Sequence, residues 1–351
     1  MTGRPALLDR SGGVLVHEAL FYRDLPGFAA HCADFLRIGL SHGDAALVSI
    51  PAVRIEPLRA ELGDLASQVQ FADMTRVGSN PARIIPFVRQ FADRNAGRRV
   101  SFIGEPIWSS RSPAEIRECV RHEALLNAAF ADADISIFCP YDSAGLDDAT
   151  IMDAWRTHPA VGEGERWTSS PFYTDPTVLY AAADRPMPAP PAGTLVFHFD
   201  GGDLPLIRRI IDEQAPLLGL AGDRADDLTL AVNEIVTNTL AHAGTGGTLR
   251  IWVDPEQNAL VCEVSDSGRI ADLLAGRRRP PTDAEGGRGL WLVNQCCDLV
   301  ELRSTEAGTT VRLYAHRQRN PRGDRPATDP AGGAGLAARG GEAPSSGQDT
   351  L

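Results

Sequence analysis

Glu234 and Asn238 stand four apart in Leu230-Ala231-Val232-Asn233-Glu234-Ile235-Val236-Thr237-Asn238. On a helix that spacing puts a carboxylate and an amide oxygen one above the other on the same side. Such a pair suits a hard cation or the water around it. Downstream, Asp266 in Ser265-Asp266-Ser267-Gly268-Arg269 shares parity with Leu260, Cys262 and Val264. Its carboxylate should project from a strand end toward the buried side, where it could accept a hydrogen bond from an amino group such as that of adenine. Farther on, Gly286-Gly287-Arg288-Gly289 runs directly into Leu290-Trp291-Leu292-Val293. Glycines opening a helix let backbone N–H groups and the helix N-terminus hold phosphate. Gly308-Thr309-Thr310-Val311 then begins a last strand.

The elements that must position these residues can be read around them. Apolar residues at Leu228, Ala231, Val232, Ile235 and Leu240 give the Glu234 helix one packed face, and Asp223, Asp226 and Asp227 lie at its expected start. Two alternating runs, residues 249–253 and 260–264, flank Asp254-Pro255-Glu256-Gln257-Asn258, which reads as a hairpin turn. Ahead of them come a strand over 195–199 and a helix over 204–218, with Asp203 as its expected cap. Upstream, strands at 45–50, 69–72, 99–104 and 135–139 alternate with helices at 26–40, 55–65, 81–95, 113–130 and 147–157. That alternation implies a mainly parallel sheet covered on both faces. None of its strand ends carries a G-x-x-x-x-G-K-[ST] loop.

Composition narrows the chemistry. All 34 basic residues are arginine. No P-loop lysine, no eukaryotic-type kinase lysine and no Schiff-base lysine is available. Nucleotide chemistry here must rely on backbone groups, arginine, carboxylates and a metal. Net charge is −12, spread evenly: residues 1–185 carry 18 arginines against 24 acids, and residues 186–351 carry 16 against 22. An even acidic balance argues against nucleic-acid or membrane affinity. The six cysteines form no Cys-x-x-Cys pair and read as small core residues. No apolar run approaches about 18 residues and no signal-peptide pattern opens the chain, so a soluble, cytoplasmic protein is expected.

The ordered set Glu234…Asn238, Asp266-x-Gly268, Gly286-Gly287-Arg288-Gly289 and Gly308-Thr309 resembles the Bergerat ATP-binding fold shared by histidine kinases, gyrase-type ATPases, heat-shock chaperones and anti-sigma-factor serine kinases. The Gly-Gly-Arg-Gly-Leu-Trp-Leu-Val wording, and Ile270 where many histidine kinases have a second glycine, look most like the anti-sigma-factor branch. In the N-terminal half, His17-Glu18, Gly104-Glu105-Pro106, Cys139-Pro140-Tyr141-Asp142 and Thr157-His158-Pro159 resemble the MEDS domain, a sensory module of RecA-like fold. The expected plan is α/β throughout. A lead-in (1–13), a MEDS-like sensory domain with a RecA-like, mainly parallel sheet (14–183) and a Pro-rich linker (184–193) precede a Bergerat α/β sandwich (194–316). The sandwich is expected to have a mixed sheet covered by helices on one face, and a disordered tail (317–351) to follow it.

By that resemblance the chain is a signal-responsive anti-sigma-factor regulator. It transfers the γ-phosphate of ATP to a serine or threonine of a partner. Glu234 is the general base, Asn238 ligates Mg2+, and Asp266 and Gly268 read adenine. Gly286, Gly287 and Gly289 cradle phosphate, Arg288 adds charge there or faces a partner, and Thr309 or Thr310 completes the base pocket. The implied partners are a sigma factor or a STAS-type anti-sigma antagonist, together with a small organic ligand at the N-terminal domain; a homodimer is compatible with the resemblance. Glu105, Trp108, Tyr141 and His158 are candidates to line that ligand's pocket. Arg277-Arg278-Arg279 lies where it could close over phosphate or meet an acidic partner, although three arginines in a row commonly form a solvated surface. The other reading is a binding protein that holds ATP or nothing and acts by sequestration alone. His17-Glu18-Ala19-Leu20 and His122-Glu123-Ala124-Leu125 lack the proline and the position of a phosphoacceptor hairpin, so histidine autophosphorylation is not expected.

Overall fold

The alternating half and the hairpin half form two separate sheets. The computed structural model describes residues 15–182, 187–244, 246–280 and 287–317. The expected lead-in over 1–13, linker residues 184–186, Gly286 and the tail beyond Arg317 lie outside the described residues.

The first sheet has seven strands: β1 (Val16–Tyr22), β2 (Ala45–Ile50), β3 (Val69–Asp73), β4 (Val100–Gly104), β5 (Ile135–Asp142), β6 (Ala160–Glu163) and β7 (Arg166–Ser169). Their order is β3-β2-β4-β5-β1-β6-β7. Every pairing is parallel except the terminal β6–β7 hairpin, which the sequence pattern did not reveal. Helices α1 (Leu25–Ser41), α2 (Ala52–Leu62), α3 (Met74–Val77), α4 (Ile84–Arg94), α5 (Pro113–Ala129), α6 (Asp148–Thr157) and α7 (Pro176–Ala182) connect the strands. Alternate strand residues feed two cores. Ala19, Phe21, Cys139 and Tyr141 belong to one, and Leu20, Tyr22 and Phe138 to the other, with α1 and α2. Helix starts follow local chemistry: Asp24 Oδ1 accepts from Gly27 N–H at 2.7 Å, and Ser112 and Glu115 form a reciprocal capping box on α5. The expected helix over 55–65 runs from Ala52 to Leu62: it begins three residues earlier, and it ends earlier because Gly63 at φ 58° stops it and a 3-10 turn follows.

The second sheet holds β8 (Leu195–Phe199), β9 (Gly247–Asp254), β10 (Ala259–Asp266), β11 (Leu299–Thr305) and β12 (Gly308–His316) in the order β11-β12-β10-β9-β8. Each pairing is antiparallel, where a mixed sheet was expected. Helices α8 (Leu204–Leu217), α9 (Asp223–His242) and α10 (Gly289–Cys296) cover one face through Ile207, Ile211, Leu228, Val232, Ile235 and Val293. Asp203 does not cap α8; its carboxylate turns back to the Asp200 N–H at 2.9 Å.

The opposite face of this sheet is also buried in part, which strand alternation alone did not suggest. Ala114 of α5 packs with Trp252, Val261, Leu299 and Tyr314. The buried Arg312 donates to Glu263 at 2.5 and 2.9 Å, and Tyr314 donates to Glu301 at 2.7 Å. Those side chains form a paired network on this face, which Arg117 of α5 joins through Glu301. Arg312 also donates to the carbonyl of Pro188 at 2.8 Å, which holds the Pro-rich connection against this face.

Further contacts join the two parts. Arg83 donates to the carbonyls of Asn294 (2.6 Å), Gln295 (2.8 Å) and Cys297 (2.7 Å) at the C-terminal end of α10. A guanidinium there meets orphan carbonyls and the negative end of the helix dipole. Arg117 pairs with Glu301 at 2.7 Å, and Arg121 donates to the carbonyl of Leu302. Among the described residues no helix is long and apolar enough to cross a membrane.

Candidate functional site

Helix α9 buries Leu228, Ala231, Val232, Ile235, Val236 and Thr239 against the antiparallel sheet, leaving Glu234 and Asn238 half-buried one turn apart. The start of α10 faces them. A Cβ on Gly289 would stand 3.0 Å from both Glu234 Oε2 and Asn238 Nδ2. A side chain at this position would press on the ends of both residues, so glycine favours the close approach of α10 to the pair.

Asp266, at the end of β10, is held by two hydrogen bonds to its carboxylate. Its Oδ2 accepts from the Thr239 hydroxyl at 2.6 Å and its Oδ1 from the Gly268 N–H at 2.7 Å. Gly308, opposite on β12 at φ 133°, could not carry a side chain: its Cβ would lie 2.2 Å from the Asp266 carbonyl oxygen. Thr309 is the register partner of Asp266, and its hydroxyl donates to the Gly268 carbonyl at 2.8 Å and meets Ser304 Oγ at 2.8 Å. Carboxylate oxygens have about four lone-pair sites between them, so Asp266 keeps acceptor capacity for a ligand.

Between these groups lies a cleft of about 770 Å³, lined by Asn238, Asp266, Gly268, Thr309, Gly287 and Gly289 among others. That is ample for a nucleotide. Gly287 has φ 78°, and a Cβ there would meet nothing within 4 Å, so the turn ahead of α10 opens onto free space. The first N–H groups of α10 have no partner inside the helix, which suits an anion at that end.

Two sequence expectations change here. Thr310 points away from the cleft: it pairs with Ser265 at 3.2 Å on the other face of the sheet, because neighbouring strand residues alternate sides. The three lid arginines also divide. Arg278 and Arg279 line the cleft, while Arg277 is buried and pairs with Glu118 of α5 at 2.7 Å. Thr239, Ser304 and His242 were not anticipated. Thr239 follows Asn238 directly, yet nothing in the periodicity distinguishes it from a core threonine.

Residues 197–315 match the family described as histidine kinase-like ATPase domain. Residues 16–159 match the one described as MEDS: MEthanogen/methylotroph, DcmR Sensory domain. A relative named serine-protein kinase RsbW, from Halalkalibacterium halodurans, is 30% identical over 125 residues, which is 33% of this chain and 76% of the relative. The chain belongs to the anti-sigma-factor serine kinase-like ATPases. A solved structure of the RsbU and RsbW domains of Rv1364c from Mycobacterium tuberculosis is 18% identical, with a TM-score of 0.28. That match covers 36% of this chain and 33% of the other, so the chain spans about a third of that protein's length.

In this kinase-like chain the MEDS domain precedes the ATPase domain. The MEDS candidates Glu105, Trp108, Tyr141 and His158 do not converge on one set of contacts. Glu105 accepts from Tyr22 at 2.7 Å and pairs with Arg54. Trp108 stacks under the Arg111 guanidinium at 3.9 Å. Tyr141 and His158 meet edge to face at 5.6 Å. Tyr22 and Tyr141 have opposite strand parity, so Glu105 and Tyr141 serve opposite faces of the parallel sheet. His17 and His122 are both buried, which agrees with neither being a phosphoacceptor.

Proposed function

We propose that this chain is a protein-serine/threonine kinase of the anti-sigma-factor type, acting on a STAS-type antagonist or binding a sigma factor, with its output set by the MEDS domain. The observation that carries the reading is the approach of Gly289 to the stacked pair Glu234 and Asn238, at the mouth of a cleft that runs to Asp266. Asp266 accepts a hydrogen bond from adenine, with Thr309 and Gly268 fixing its position. Gly287, Gly289 and the neighbouring N–H groups surround the phosphates, and Arg288 stands between the two glycines.

In the transfer step the substrate hydroxyl oxygen bonds to the γ-phosphorus as the bond from that phosphorus to the β-bridging oxygen breaks. The hydroxyl proton goes to the Glu234 carboxylate, and ADP leaves. The donor set fits magnesium: Asn238 offers an amide oxygen beside a carboxylate, in a cleft free of competing lysines. When bound, Mg2+ neutralises phosphate charge. Contacts of α5 and Arg83 with the ATPase domain give the MEDS domain a physical connection to the site.

Two measurements test this. Calorimetry with ATP or ADP in magnesium buffer should show saturable uptake, and a STAS-type antagonist incubated with the protein and ATP should gain the mass of one phosphoryl group on serine or threonine. Absence of nucleotide uptake overturns the pocket. Uptake without transfer to any antagonist leaves a nucleotide-holding regulator that acts by sequestration.

A further inference from the structure

The MEDS domain holds a second cluster that the kinase chemistry does not use. His17 on β1, Glu123 on α5, Cys139 on β5 and His158 just past α6 are all buried, and one ligand atom from each lies within 4.8 Å of all the others. His17 Nε2 is 3.3 Å from Glu123 Oε2 and 3.4 Å from Cys139 Sγ. Glu123 Oε2 is also 3.4 Å from Cys139 Sγ and 3.4 Å from His158 Nε2.

The neighbours decide which ring nitrogens face inward. His158 Nδ1 lies 2.9 Å from the Ala154 carbonyl, which can only accept, so Nδ1 carries the proton and Nε2 presents a lone pair. Asn127 donates its amide to the Thr157 carbonyl at 2.8 Å, which turns Oδ1 toward His17 Nδ1 at 3.1 Å. His17 Nε2 is therefore a lone-pair atom as well. Two imidazole lone pairs and a carboxylate oxygen converge in a dry interior with one thiol hydrogen among them. His158 Nε2 and Glu123 Oε1 have no hydrogen-bond partner. Without a cation, acceptors face acceptors at a cost.

We propose that these four side chains bind one divalent transition-metal ion, zinc by the character of the donors. A tetrahedral zinc with bonds of about 2.0–2.3 Å to N, O and S needs donor atoms roughly 3.3–3.6 Å apart. Of the six separations, the four given above lie within about 0.2 Å of that, and the other two, from His158 to His17 and to Cys139, are under 4.8 Å. A thiolate and a carboxylate balance the two positive charges, so the occupied site is neutral overall, as a buried site should be. The outer hydrogen bonds to Ala154 and Asn127 are of the kind that orient metal-binding histidines. All four positions are protein ligands, which marks a closed, structural ion rather than a catalytic one. It ties β1, β5, α5 and the end of α6 together, and Glu123 sits on the helix whose Arg117, Glu118 and Arg121 contact the ATPase domain.

The test is elemental analysis of the tag-free, full-length chain purified from zinc-supplemented cells, followed by exchange with cobalt. About one zinc per chain is expected, and cobalt should give intense tetrahedral visible bands with a thiolate charge-transfer band in the near ultraviolet. In Cys139→Ser that charge-transfer band should vanish, and metal content should fall at least tenfold. If the variant does not fold, the cobalt spectrum of the unaltered chain still decides. A folded chain with under a tenth of an equivalent of metal, and no spectral response to added zinc or cobalt after dialysis against chelator, overturns the site.

Discussion

Arg277 of the ATPase lid and Glu118 of the MEDS helix α5 form a buried ion pair, Nη2 to Oε2 at 2.7 Å. Glu118 also pairs with Arg121, which in turn donates to the Leu302 carbonyl. The lid is therefore attached to the sensory part through one carboxylate, and Leu274 just ahead of it joins the N-terminal buried cluster.

Removing that carboxylate leaves Arg277 uncompensated in a dry contact. Glu118→Gln should lower unfolding free energy by about 3 kcal/mol. The double variant Glu118→Leu/Arg277→Met should recover part of the loss, since a buried pair replaced by apolar groups is often neutral. Urea denaturation of both single variants and the double variant checks this; strictly additive losses would rule the pair out as a coupled unit.

The catalytic assignment makes a sharper demand. Glu234→Ala should reduce phosphoryl transfer by about 10²–10⁴-fold, the usual worth of a positioned base. ADP affinity should hold within about threefold, because in the proposed site the base is read by Asp266 and not by Glu234. Single-turnover transfer and calorimetry on the same preparation separate the two. Unchanged transfer would remove Glu234 from the mechanism.

Much of this site was legible in sequence because its key relations are local. Four-residue spacing put Glu234 over Asn238, strand parity turned Asp266 inward, and a glycine turn before an apolar run marked α10. What stayed hidden depends on distant partners. Glu123 and Cys139 join His17 and His158 only after strands β1 and β5 pair and α5 folds over them. Glu301 meets Arg117 of α5, and Arg312 meets Glu263 and the Pro188 carbonyl, only once the chain ahead of the second sheet folds back over it. Thr309 and Thr310 could be told apart only once β12 was registered against β10.

Thiol chemistry offers an independent check on the cores. Burial pushes the thiols of Cys119 and Cys262 up to about 12. At pH 8 each would be ionised in about one molecule in ten thousand, and only the thiolate reacts. A maleimide or iodoacetamide reagent should label neither Cys119 nor Cys262 in the folded chain within minutes, and all six cysteines after denaturation. Moving from pH 7 to pH 9 raises thiolate content but leaves it below about one part in five hundred, so protection should persist. Mass-mapped labelling of either residue under native conditions would contradict the packing.

The two adjacent threonines give the most selective probe of the base pocket. Thr309 Oγ1 donates to the Gly268 carbonyl at 2.8 Å and stands opposite Asp266, whereas Thr310 Oγ1 reaches Ser265 at 3.2 Å on the far face. Valine keeps the shape of threonine and removes only the hydroxyl. Thr309→Val should therefore weaken ADP binding about tenfold, since a lost hydrogen bond of about 1–1.5 kcal/mol releases the turn that carries Gly268. Thr310→Val should leave affinity within about twofold, because its hydroxyl never meets the cleft. Thr239→Val should resemble Thr309→Val, as it strips Asp266 Oδ2 of its 2.6 Å donor. Calorimetric titration of the three variants settles the ranking. If Thr310→Val lost as much affinity as Thr309→Val, the nucleotide would have to be read from the opposite face of the sheet.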